Sequence, residues 1–136
     1  MSITTEFFKR SRISQNQTTI AIMDFLSSAE SVNKMIIASE MGLPVITPIV
    51  KELENRFGNS TDFPLNHDGK NHNATNRQNI GRMIKFVMKQ FGYIPVDGGL
   101  NERARVPQFA GSEYFSTSGI YSKLQSERYR IEVKII

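Results

Sequence analysis

The chain has 136 residues and a mass of 15.5 kDa, the size of one ordinary domain, so we predict a single domain over residues 1–136. Its 39% hydrophobic and 22% charged residues are globular values that exclude a wholly disordered chain. No apolar run approaches the ~20 residues of a membrane span, and no secretory signal is recognisable. The lack of cysteine excludes disulfides, thiolate nucleophiles and zinc–thiolate sites. We therefore expect a cytoplasmic protein with no membrane partner.

Positive charge is concentrated in one third of the chain. The first sixty residues are neutral, with six bases against six acids. Residues 70–105 carry seven bases, Lys70, Arg77, Arg82, Lys85, Lys89, Arg103 and Arg105, against the acids Asp97 and Glu102. If this third folds onto one face, it forms the electrostatic surface expected of a phosphate-binding protein. The other interpretation is a solvated face of scattered lysines and arginines, and the total charge of +4 fits both.

The N-terminal half is predicted to be helical. Residues 6–16 read as a short helix or an arm. From Gln17 a helix follows, with Ile22, Phe25, Leu26 and Ala29 on one apolar stripe. A second helix is predicted to begin at an N-cap at Ser31 and to stop at Gly42, with Val32, Met35 and Ile36 facing inward.

A third helix is predicted to start at Thr47-Pro48, where threonine caps and proline takes the first helical position. It should end at Gly58. Its apolar stripe comprises Ile46, Ile49, Val50, Leu53 and Phe57. Residues 59–75 are rich in Asn, Asp, His, Ser and Gly, and predict a long polar loop.

The clearest element is a long amphipathic helix, capped by Thr75 or Asn76 and ended by Gly92. Its apolar side is Ile80, Met83, Ile84, Val87, Met88 and Phe91. At ~100° per residue, Gln78, Arg82, Lys85 and Lys89 share one polar stripe on the other side. This stripe holds three bases and no acid.

After Gly92 the pattern changes to strands. Residues 93–96 and 103–106 predict a hairpin around the Gly-rich turn at residues 97–102. A short helix is predicted from residues 116–118 through about Leu124, and residues 129–135 alternate as a half-buried strand. We therefore predict an α+β fold: a helical N-terminal part, one long amphipathic helix and a small antiparallel sheet, winged-helix-like, with the long helix covering the sheet.

Residues 36–43 and 47–54 carry a helix-turn-helix pattern. Ala38 is a small residue four positions before the turn glycine Gly42, Leu43 follows that glycine, and the run Val-Lys-Glu-Leu-Glu comes in the next helix. This stretch resembles the helix-turn-helix core of bacterial winged-helix regulators. The resemblance covers about a quarter of the chain and implies that the second helix lies in the DNA major groove. Two packed core helices joined by a glycine turn are the alternative.

The basic helix followed at once by a hairpin also has the order of a helix and wing, which predicts binding of double-stranded DNA. Arg82, Lys85 and Lys89 would contact phosphate from the helix, and Arg103 and Arg105 from the wing. Arg77 and Gln78 near the helix start are candidates for base contacts. The sequence thus offers two candidate recognition helices, and we favour this second one.

Two other functions stay open. The chain fits a small protein-interaction or inhibitory module that docks on an acidic protein surface, or a homodimer. Glu132 and Lys134 have the Glu-x-Lys spacing that resembles the metal-dependent strand of one large nuclease superfamily. His67, Asp68 and His72 fall in the polar loop without the usual spacing of metal ligands. We therefore predict no catalytic residue, no metal and no cofactor.

Overall fold

The computed structural model of the chain describes residues 2–66, 73–95 and 121–123. Five helices and two strands lie in this part: α1 (Ile3–Arg10), α2 (Gln17–Leu26), α3 (Ala29–Glu40), α4 (Val50–Phe57), α5 (Ala74–Gln90), β1 (Tyr93–Pro95) and β2 (Tyr121–Lys123). Helices and a small antiparallel sheet together confirm the α+β class. None of the helices in these ranges is long and apolar enough to cross a membrane.

Side-chain caps set the starts of the first three helices. The Ser2 hydroxyl accepts a hydrogen bond from the Thr5 N–H, and Asn16 forms a reciprocal capping box with Thr19. Of residues 6–16, predicted as a short helix or an arm, residues 6–10 thus belong to α1 and Asn16 is the N-cap of α2. Helix α3, which the sequence predicts as the second helix, begins earlier than predicted, because Ser28 rather than Ser31 is its N-cap. Ala29 therefore belongs to α3, and the predicted stripe of α2 ends at Leu26.

Gly42 ends α3 as predicted. It has a φ of +73°, the left-handed conformation that glycine adopts without strain. The Leu43 N–H donates to the Ala38 carbonyl at 2.9 Å and the Gly42 N–H to the Ser39 carbonyl at 3.1 Å. These two bonds make a Schellman motif, which satisfies carbonyls that the last helical turn would leave unpaired.

The predicted start of α4 is wrong. The helix begins at Val50, and Ile49 occupies the N-cap position without a side-chain hydrogen bond. The Thr47 hydroxyl, predicted to cap, is buried and has no hydrogen-bond partner among the described residues. The reason is packing: Val45, Ile46 and Ile49 are all buried, so the chain before α4 is drawn into the core as turns. Burial of three large apolar side chains outweighs one cap of about 1 kcal/mol.

The core is built around α5. Ile80, Met83, Ile84, Val87 and Met88 are fully buried, as the spacing predicts. The helix starts slightly before the predicted caps, with Asn73 in the left-handed conformation at its N-cap. Phe91 is 42% exposed, so the prediction that it belongs to the buried apolar side of α5 is wrong. The helix ends at Gln90, and Gly92, with a φ of +86°, turns the chain away into β1.

The sheet pairs different residues from those predicted. Strand β1 is antiparallel to β2, with Tyr93 opposite Lys123 and Pro95 opposite Tyr121. The helix predicted through Leu124 is therefore wrong at Tyr121–Lys123, where Tyr121 is buried in the core as part of a strand. Helix α5 contacts β1 and α3 contacts β2, so helices cover the sheet as expected. Residues 96–120 and 124–136, with the other predicted strands, lie outside the described residues.

Candidate nucleic-acid interface

The polar stripe of α5 has the predicted geometry. Arg82, Lys85 and Lys89 are exposed, with Gln78 exposed one turn earlier, and the opposite side of the helix is buried. None of the three bases forms an ion pair with a described residue. Like charges three or four positions apart on a helix repel by about 0.2–0.5 kcal/mol per pair. Among the described residues, the stripe is therefore a continuous positive surface.

A fourth base joins this stripe from another helix. Arg10, at the end of α1, lies with Ser11, Arg82, Lys85 and Lys89 around a groove of about 310 Å³. Phe7 and Phe86 also line the groove, and their rings meet edge-to-face with centroids 5.3 Å apart. Helix α1 packs against α5, and this contact brings Arg10 beside the three bases of the α5 stripe. We call the groove and the seven residues that line it the basic groove.

The sequence reasoning missed Arg10. It lies in a half of the chain whose charges balance in total, and only its packing against α5 shows its role. The sequence feature that could have indicated a role for Arg10 is the run Lys9-Arg10-Ser11-Arg12, which has three bases within four residues. Glu6 lies 3.8 Å from Arg10 and 3.7 Å from Lys9, so one carboxylate faces two bases there. The end of α1 is thus still net positive.

Arg77 does not belong to this surface. Its side chain is 3% exposed, and its Nη1 donates to the Leu65 carbonyl at 3.0 Å. Arg77 stands three residues before Ile80 and seven before Ile84, which places it on the inner side of α5. Asn76 beside it donates to the Pro64 carbonyl at 2.9 Å. Both side chains tie the start of α5 to residues 64–65, and Arg77 as placed here does not reach a DNA base.

The other candidate recognition helix, α4, has a different surface. The Arg56 Nε lies 2.6 Å from the Glu52 carboxylate, and the Arg56 guanidinium sits 4.9 Å above the Phe25 ring. In α3, Lys34 pairs with Glu30 at 3.3 Å. The bases that carry these contacts are neutralised within the protein. Lys34 of α3 and Arg56 of α4 are therefore each paired with an acid of their own helix.

The remaining candidate residues fall elsewhere. Arg103 and Arg105 of the predicted wing lie outside the described residues, as do Glu132 and Lys134 of the nuclease-like spacing and the loop residues His67, Asp68 and His72. Within residues 2–66, 73–95 and 121–123, no three His, Asp or Glu side chains are grouped so that they could hold a metal. The described surface that brings predicted site residues together is the outer side of α5.

Comparison with known proteins found no relative. No protein-family model matches the chain, and neither a curated protein nor a solved structure is significantly similar to it. The function is therefore argued from the basic groove and the α5 stripe themselves.

Proposed function

We propose that this protein binds nucleic acid, double-stranded DNA in particular, through the outer side of α5. The observation that carries the proposal is the stripe Arg82, Lys85 and Lys89, exposed and without an ion pair to any described residue. At about 1.5 Å rise per residue the three bases lie along ~10 Å of α5, and each can contact one phosphate.

One part of the winged-helix order supports this proposal: a strand follows α5 directly, and its partner among the described residues is β2 in place of the predicted strand at residues 103–106. Only the two turn residues Phe91 and Gly92 separate the end of α5 at Gln90 from the start of β1 at Tyr93. In winged-helix proteins the helix enters a groove of DNA and the following strands contact its backbone. In this arrangement Arg103 and Arg105, which follow β1 in sequence, add phosphate contacts. Helix α5 rather than α4 is the helix that meets DNA, because α5 presents three exposed bases without an ion pair to a described residue and α4 presents one, Lys51.

The experiment is a fluorescence-anisotropy titration of random-sequence duplex DNA at ~50 and ~200 mM salt. Three phosphate contacts predict that log K falls with log salt at a slope of about −2.7, and further contacts make it steeper. Absence of binding at both concentrations, or binding that salt leaves unchanged, would refute the proposal. A Lys51→Gln variant is a suitable matched control, since Lys51 is an exposed base on α4 and its loss should leave the slope unchanged.

A protein-interaction module is the second candidate, and one observation favours it. Ile37, Met41 and Leu43 are exposed apolar side chains at the end of α3 and the turn after it, Met41 being 66% exposed. Clusters of this kind are typical of contacts between proteins. Sedimentation of the wild type and of Met41→Lys over a wide range of concentration tests self-association there. A concentration-dependent dimer that Met41→Lys abolishes would support this candidate, and a monomer at every concentration would count against the homodimer.

A further inference from the structure

The basic groove contains more than phosphate binding requires. Its cations come from two helices: Arg82, Lys85 and Lys89 from α5, and Arg10, which also lies 3.8 Å from the Glu6 carboxylate, from α1. The half-buried ring of Phe86 lines the same groove. Phosphate contacts alone need charged and polar groups at an open surface. An aromatic ring in the same groove as four bases favours a ligand that is anionic at one end and flat and apolar at the other.

The Phe86 ring is held in place by its neighbours. The ring of Phe7 meets it edge-to-face at 5.3 Å, and Phe8 meets Phe7 in the same way at 5.1 Å. Phe7 is itself buried in the core, so the three rings form a rigid support. Stacking of a ligand ring on Phe86 therefore costs little side-chain conformational entropy, which favours binding.

We propose that the basic groove takes one unstacked nucleotide of a DNA strand, with the base against Phe86 and the phosphates among the four cations. This inference rests on the proposed function and adds to it: the stripe binds the backbone of a duplex, and a single-stranded segment gains the further contact with Phe86. A volume of about 310 Å³ lies at the lower end of small-ligand sites. Stacking on an aromatic ring with a basic groove along the backbone is the general way in which proteins hold single strands.

The test compares an oligothymidylate with a duplex of the same number of phosphates, by anisotropy at one salt concentration. We expect the wild type to bind the single strand more tightly. Phe86→Leu should weaken single-strand binding by about 5- to 100-fold, since stacking contributes ~1–3 kcal/mol per base. Duplex binding by the same variant should change less than about twofold, because its phosphate contacts remain.

Two controls separate stacking from folding. Phe25→Leu removes a half-buried ring of α2 that lies outside the groove and outside this ring cluster, and it should leave both affinities unchanged. Phe86→Tyr keeps the ring and should keep single-strand binding. A strand carrying one 2-aminopurine adds a direct readout, because its fluorescence should be quenched on binding to the wild type and less so with Phe86→Leu.

The outcomes distinguish the two proposals. Salt-dependent duplex binding with no preference for the single strand, or with no effect of Phe86→Leu on either ligand, overturns the nucleotide site and leaves the α5 stripe standing. Absence of binding to both ligands by the wild type overturns the stripe as well.

Discussion

Helices α4 and α5 both carry charged outer faces above buried inner ones, and they use those charges in opposite ways. On α4, Arg56 is held by Glu52 and by the ring of Phe25. On α5, Arg82, Lys85 and Lys89 stand together without an ion pair to any described residue. Mixed charges at helical spacing stabilise a helix, whereas like charges destabilise it slightly. The α5 stripe therefore costs stability, which is the pattern expected of a surface that binds an anion.

The comparison of α4 with α5 also shows that a helix-turn-helix pattern does not by itself identify a helix that contacts DNA. The α3–α4 stretch has the small residue, the turn glycine and the helix that the pattern requires, with Ala38 buried and Gly42 in the left-handed conformation. The Schellman motif at Gly42 and the burial of Ala38 in the core explain these features without DNA. What separates the two helices is the number of exposed cations without an ion pair to a described residue: Lys51 on α4, and Arg82, Lys85 and Lys89 on α5.

The largest expected effect comes from removing the α5 charges together. The variant Arg82→Gln, Lys85→Gln and Lys89→Gln should lower duplex affinity on the order of 10²-fold at ~100 mM salt and flatten the salt slope by about 3. Its stability should stay equal or rise slightly, because the repulsion is relieved. Anisotropy titrations and thermal melts measure the two quantities. An unchanged slope in a folded variant would break the distinction between α5 and α4.

The second prediction concerns the packing at the end of α4. A Cβ at Gly58 would collide with the Glu54 carbonyl and with the Asn66 side chain, and the Gly58 carbonyl accepts the Leu65 and Asn66 N–H groups at 2.9 Å. Gly58→Ala should therefore lower the free energy of unfolding by about 1–3 kcal/mol. Denaturant titration measures this loss. The salt slope of duplex binding should not change below the melting temperature, and a changed slope would give α4 a direct part in binding.

The third prediction uses pH to separate the fold from the charged stripe. Burial raises the pKa of Tyr121 well above its usual value near 10. Burial, and secondly the Glu40 carboxylate, raise the pKa of Tyr93. A raised folded-state pKa contributes stability that is complete below pH ~10 and is lost as the pH rises above it, because the unfolded chain then ionises first. For Tyr121 alone the loss is about 1.4 kcal/mol per pH unit between the two pKa values.

The variant Tyr121→Phe checks this pH dependence. It should unfold at a higher pH than the wild type, and at neutral pH it should be at least as stable, since the buried Tyr121 hydroxyl has no hydrogen-bond partner among the described residues. Lys85→Gln, on the exposed stripe, is the matched control and should leave the alkaline midpoint unchanged. Circular dichroism against pH measures both. Equal midpoints for Tyr121→Phe and the wild type would contradict the assignment.

The smallest effect is expected from Arg56→Gln. Loss of its ion pair with Glu52 and its position over Phe25 should reduce the free energy of unfolding by about 0.5–1 kcal/mol. Duplex affinity and its salt slope should not change, because Arg56 is already paired within the protein. A slope flatter by about 1 would instead show that Arg56 contacts phosphate.

Local sequence patterns predicted much of the helical part. The period of 3.6 residues located α2, α3 and α5, and it correctly buried Ile80, Met83, Ile84, Val87 and Met88. Gly42 ended its helix as expected. These features depend on residues a few positions apart, so the chain itself specifies them. The wrong start of α4 shows the limit: Thr47 is a good cap locally, and the burial of Val45 and Ile46 overrides it.

The sequence by itself determined that three cations share one side of a long helix, because helical geometry fixes which residues face together. Only the tertiary structure decided which charges remain available. It placed Arg77 inside against the Leu65 carbonyl, paired Arg56 with Glu52, and brought Arg10 beside α5 from the far end of the described chain. It also paired β1 with Tyr121–Lys123, residues that a local pattern assigned to a helix. The physical reason is the same throughout: partners distant in sequence set burial and pairing, and no local period encodes them.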